Sequence, residues 1–137
     1  MTTHSTSSSL SPQQLAEAVS QAMLAKDLVA QDLNIQLQSV NAGFAAMTMT
    51  VQDRMLNGFA ICHGGYITLL ADTAFAYACN SYNDVTVASS LGIEFIAAVQ
   101  GGDVLTAVAT ELNLAGRTGL YDINVSNQHG KRIAVMR

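Results

Sequence analysis

The sequence predicts an α+β fold, an antiparallel sheet curled around one long buried helix. Three observations predict it. The stretch from Gly64 to Tyr82 is long, alanine-rich and apolar nearly all round, as a helix covered on most faces must be. Beyond it the apolar residues take a period of two, the spacing of strands. The breaks between those strands are of hairpin length, which makes neighbours antiparallel. One apolar helix and one long sheet then bury each other.

Each element has its own signal. Ser11 and Pro12 open a first helix, with serine at the N-cap and proline at the first helical position. Leu15, Val19, Ala22 and Met23 carry it at helical spacing to about Lys26. Leu33, Ile35 and Leu37 alternate as a strand, Asn41 to Gly43 turn, and Phe44 to Val51 return as the second strand of a hairpin. Met55 to Gly65 read as an irregular loop before the long helix, which Asn80 to Asp84 close. Val85, Val87, Leu91, Ile93 and Phe95 then share one face of a strand. Three further strands, over 104–115, 120–127 and 132–137, are separated by breaks at Gln100–Asp103, Gly116–Gly119 and Gln128–Lys131. The expected order is helix, hairpin, long helix and a four-strand meander, with five to six strands in the sheet. Residues 1–10 are expected as a disordered tail ahead of a single domain over 11–137.

Composition narrows the function. The chain has 137 residues, of which 50% are hydrophobic and 12% charged, more apolar material than a small monomer usually needs. That surplus points to surface buried between subunits. A net charge of −4 with no basic run argues against nucleic acid as a partner. Gly, His, Asp and Asn interrupt the central stretch too often for a membrane span. The start, MTTHSTSSSLS, carries neither the pattern of a secretion signal nor that of a transit peptide, so a cytoplasmic location is expected. Cys62 and Cys79 are then expected as free thiols.

Asp72 is the only Asp, Glu, Lys or Arg between Met55 and Asn83. An aspartate in a helix ordinarily sits on a wet edge. Here its neighbours one turn away, Leu69, Phe75 and Ala76, are apolar, and desolvation raises a carboxylate's pKa toward the range useful to a general base. His63-Gly64-Gly65 reads either as a plain glycine turn or as a helix start whose free amides hold an oxyanion. Gly65 and Asp72 share a helix face, but seven residues of helix rise about 10 Å. If both serve one site, each is supplied by a different copy, in a two-fold dimer with two equivalent sites. Asn57-Gly58 is a turn, or else brings an amide to a reacting carbonyl. A thiol nucleophile at Cys62 beside His63 is disfavoured, since adjacent loop residues rarely face each other. Cys79 reads as packing. His4, His63 and His129 show no metal-ligand spacing.

Taken together, Asn57-Gly58, Cys62-His63-Gly64-Gly65 and Ala71-Asp72 closely resemble the hot-dog-fold thioesterases of the phenylacetic acid degradation type. The likeness continues through VAS at 87–89, IEFI at 93–96, GDVLTA at 102–107, TGLYDI at 118–123 and VSNQ at 125–128, nearly all the chain after the first helix. The resemblance implies a hot-dog fold and hydrolysis of acyl-CoA thioesters, with aryl-acetyl (phenylacetyl-like) or medium-chain acyl groups. It implies protomers paired side by side with shared sites, dimers associating into tetramers, and no cofactor, coenzyme A being part of the substrate. By the same resemblance Asp72 is the catalytic carboxylate, as base or nucleophile, and the Gly65 amide polarises the carbonyl. His63 and Gly64 shape the turn, Asn57 orients carbonyl or water, and Thr73 helps hold the water. Gly64, Ser89, Arg117, Thr118 and Gly119 are implied substrate contacts, the last three near the CoA moiety. Relatives carry further polar and basic residues beyond the Val135-Met136-Arg137 position, and the CoA contacts of that region are left open here. Two rival readings are a hot-dog hydratase or dehydratase, which needs an Asp/His pair placed differently, and a non-catalytic acyl-CoA-binding protein.

Overall fold

The computed structural model describes residues 9–137. The tail expected over 1–10 therefore lies outside the described residues, apart from Ser9 and Leu10. Helix α1 runs Pro12–Leu24 and starts with a reciprocal capping box between Ser11 and Gln14. A short second helix, α2 (Leu28–Asp32), unannounced by the sequence pattern, precedes the expected first strand. Asp27 caps it by accepting from the Ala30 amide at 3.0 Å. Leu33 and Ile35 are buried, but they flank Asn34, whose φ of 53° is left-handed, so the strand cannot begin there.

The sheet has six strands: β1 (Gln36–Asn41), β2 (Phe44–Thr50), β3 (Ile93–Phe95), β4 (Val104–Ala115), β5 (Thr118–Ser126) and β6 (Arg132–Met136). Their order is β1-β2-β4-β5-β6-β3, every pair antiparallel. Helix α3 (Gly64–Cys79) lies between β2 and β3 in the chain and packs mainly on β2, β4 and β5. Ala71, Ala74 and Ala78 are fully buried, and their small side chains let the helix lie close to the sheet. Ile67, Leu70 and Tyr77 fill the space beside Met47, Met49, Leu105 and Ile123.

Three expectations need correction. The long helix stops at Cys79, because Asn80 takes the C-cap and spends its side chain on the Ala76 carbonyl and on both backbone groups of Thr86. Val85 to Leu91 form no strand; Val85 is 99% exposed and Val87 81%. Their alternation reads as a buried face, but nothing in the described chain covers it. Finally, β3 pairs with β6 at the far edge and not with β4. Only β4, β5 and β6 form a meander, and β2 meets β4 across the helical crossover.

The two sheet edges differ. At β1, helix α1 packs alongside, Gln13 donates from Nε2 to the Val40 carbonyl at 2.8 Å, and the register shifts between Leu37 and Ser39. At β3 the outer side has no partner among the described residues, and Phe95 and Ile96 are more than half exposed. No described helix is long and apolar enough to cross a membrane.

Candidate active site

The approach to α3 is built from backbone bonds. Asn57 accepts at Oδ1 from the amides of Phe59 (2.9 Å) and Ile61 (3.3 Å), closing a tight turn. The Cys62 amide donates to Val99 and the His63 amide to Met55, at 2.8 and 2.9 Å, which fixes where the helix begins. Asn57 thus performs the turn role with its oxygen, and its Nδ2 donors have no acceptor among the described residues. His63 is the N-cap by backbone position only; its exposed side chain makes no cap bond. Gly64 packs against the tip of the Phe95 ring, where an added Cβ would stand 2.8 Å from Cζ. Around Gly65 the same position is open, with nothing within 4 Å. Both glycine amides lie in the first turn, where a helix offers no acceptor, and neither bonds elsewhere among the described residues. Two N–H groups therefore point outward at the positive end of a well-formed helix.

Asp72 lies two turns further on, half-buried on the side of α3 that the sheet leaves uncovered. Leu69, Phe75 and Ala76, also half-buried, surround it. Burial raises its pKa above the ordinary carboxylate value. Neither ion pair among the described residues involves it. An ionised oxygen held in this setting accepts a proton more readily than a solvated one. Thr73 is not brought to this face. It is buried, and its hydroxyl donates to the Leu69 carbonyl at 2.7 Å, so that proton is not free to hold a water.

Burial also pushes the Cys62 thiol up, away from the thiolate a nucleophile needs. Cys79 is pushed up to about 11, by burial first and also by the nearby Asp72 charge. Both cysteines are free and buried, which fits packing.

Of the expected substrate contacts, Gly64 stands at the helix start, and the other four come together at the other end of the helix. A cavity of about 1190 Å³ opens between the C-terminal half of α3, the 84–91 segment and the β4–β5 hairpin. Ser89, Arg117, Thr118 and Gly119 all line it. Thr118 and Gly119 belong to β5, so the break expected over 116–119 is shorter than its sequence suggests. Asp72 lies along the helix between the cavity and the helix start. Phe75, one turn from Asp72, forms part of the cavity wall and packs edge-to-face on Tyr121, ring centroids 5.3 Å apart at 69°. Sequence reasoning missed this pair, and also missed Tyr82, which donates to Glu111 beside Gly43. That carboxylate, with some burial, pushes the Tyr82 hydroxyl up to about 12. The available signal for Phe75 was its position three residues after Asp72, between two alanines.

The sequence pattern of the thioesterase superfamily matches residues 59–134. The acyl-coenzyme A thioesterase PaaI of Escherichia coli (strain K12) is 47% identical over 116 residues, which are 85% of this chain and 83% of that protein. The solved structure of the E. coli PaaI protein from the phenylacetic acid degradation operon superposes with a TM-score of 0.91 at 45% identity, covering 93% of this chain and 92% of that one. The smu.793 protein of Streptococcus mutans UA159, solved bound to acetyl CoA, superposes with a TM-score of 0.73 at 26% identity, covering 75% and 83%.

Proposed function

Because this chain belongs to the thioesterase superfamily and has its hot-dog fold, we propose that it hydrolyses acyl-coenzyme A thioesters carrying aryl-acetyl (phenylacetyl-like) or medium-chain acyl groups. The observation that carries the reading is Asp72: a half-buried carboxylate, unpaired among the described residues, on the helix whose start presents two amides with no described partner. The thioester oxygen accepts from the Gly65 amide, and the carbonyl carbon becomes electrophilic. Asp72 takes a proton from water as the water attacks that carbon; the C–S bond breaks, and coenzyme A leaves with a proton. If the carboxylate attacks instead, an anhydride forms, and water then cleaves it. Both routes end in the carboxylic acid and free coenzyme A, and no resident cofactor is invoked.

The proposed site is shared between two chains. Gly65 and Asp72 of one helix are about 10 Å apart along its axis, and the cavity lies on the far side of Asp72 from Gly65. A two-fold partner with its helix antiparallel sets Gly65 of the partner subunit across from Asp72. The bare β3 edge and the exposed Val85, Val87 and Ile96 support such a side-by-side pair. Pairs of dimers complete the proposed tetramer. The hydratase reading is less well supported: His63 and Asp72 are nine residues apart on one helix, and the His63 side chain is exposed. The described elements share one core, in keeping with a single domain over 11–137.

The test is thiol release from a panel of CoA thioesters. Turnover of phenylacetyl-CoA or medium-chain thioesters is expected, with most of it lost in a folded Asp72→Asn protein. Release from none of them supports the non-catalytic binding role instead.

A further inference from the structure

We propose that Phe75 sets the acyl-group preference of this site, favouring planar aromatic acyl groups over straight chains. The inference rests on the thioesterase reading above and deepens it. Phe75 follows Asp72 by three residues, so the two share a helix face and are displaced by about 4.5 Å along the axis. An acyl group whose carbonyl sits at Asp72 and whose tail enters the cavity must therefore pass the Phe75 ring. That ring is half-buried, with the remainder of its surface on the cavity wall.

Its orientation is braced. Tyr121 on β5 is 4% exposed and holds Phe75 edge-to-face, at 5.3 Å between centroids. A braced ring offers a fixed partner to a second ring, whereas a straight chain gains only contact area from it. The lining carries both kinds of side chain. Phe75, Tyr121, Ile123 and Met136 are apolar, and Arg117 and Ser89 supply polar groups suited to the coenzyme. Aromatic pairing contributes about 0.5–1.5 kcal/mol beyond buried area, equivalent to about two- to twelvefold in kcat/KM.

The experiment compares kcat/KM for phenylacetyl-CoA and hexanoyl-CoA in the wild type, in Phe75→Leu, which keeps apolar bulk without the ring, and in Phe75→Tyr, which keeps the ring. The ratio of phenylacetyl to hexanoyl activity is expected to fall about two- to twelvefold in Phe75→Leu and to recover in Phe75→Tyr. Phe75→Met replaces the leucine variant if that one does not fold. An equal loss on both substrates, or an unchanged ratio, overturns the proposal and leaves the thioesterase reading standing. A wild type active on no CoA thioester overturns both.

Discussion

Mix two inactive chains, Asp72→Asn and Gly65→Pro, and allow the protomers to exchange. The first keeps shape but has an amide where the reaction needs a carboxylate. The second removes the N–H proposed to hold the oxyanion. Position 65 tolerates the change better than most: among the described residues the Gly65 amide makes no bond to lose, and no atom lies within 4 Å of an added Cβ. Gly64, now preceding a proline, is pushed away from helical geometry, so circular dichroism must first show the helix intact. In a shared-site dimer, each site takes Asp72 from one chain and Gly65 from the other. A mixed dimer then concentrates both lesions in one site and leaves the second whole. Random pairing makes about half of all dimers mixed, each with one working site of two, so activity should return to roughly a quarter of wild type. Native mass measurement establishes that mixed dimers form, and thiol release measures the recovery. Mixed dimers that form and stay inactive refute the shared site, because sites confined to one chain retain a lesion in every copy.

Activity should fall on the acid side with an apparent pKa above the ordinary aspartate value, since burial raises Asp72 and the ionised form does the work; a pH–rate profile whose acid limb lies at or below about 3.9 contradicts this. The same shift makes ionised Asp72 a cost to folding. Its stabilising contribution is complete below the unfolded-state pKa and is lost as pH rises through the raised folded value, so Asp72→Asn should melt above the wild type at pH 7, with the gap closing toward about pH 3. Cys62→Ala should retain substantial turnover while folded; a collapse in rate would return the thiol to the mechanism. Tyr77→Phe removes the hydrogen bond from its hydroxyl to Asp27 Oδ2 (3.2 Å), and should cost about 1.5 kcal/mol in denaturant unfolding.

The long helix, the strand hairpins and the odd status of Asp72 were legible because each is written in neighbouring residues. Local pattern misleads where the deciding contact is distant in sequence. Helix α2 has only five residues, and its Asp27 cap is a weaker local signal than the alternation of Leu33, Ile35 and Leu37 that follows. Val85 and Val87 alternate like a buried strand, yet face away from their own core. The three-residue β3 takes its place from β6, some forty residues later, which no local pattern records. Phe75 and Tyr121 come from a helix and a strand far apart in sequence, so their pairing awaited the fold. Thr73 is the reverse case, a polar residue next to Asp72 that the helix turns inward.

The unequal treatment of the two sheet edges limits how far the molecule can grow. A protomer with two open edges could add copies without end, as a fibre does. Here Gln13 occupies the Val40 carbonyl and α1 lies along β1, so the proposed pairing has only β3 to use. Two copies joined through that edge consume both open strands, and extension of the sheet stops at two. Any larger assembly must then be made by stacking finished pairs through their faces.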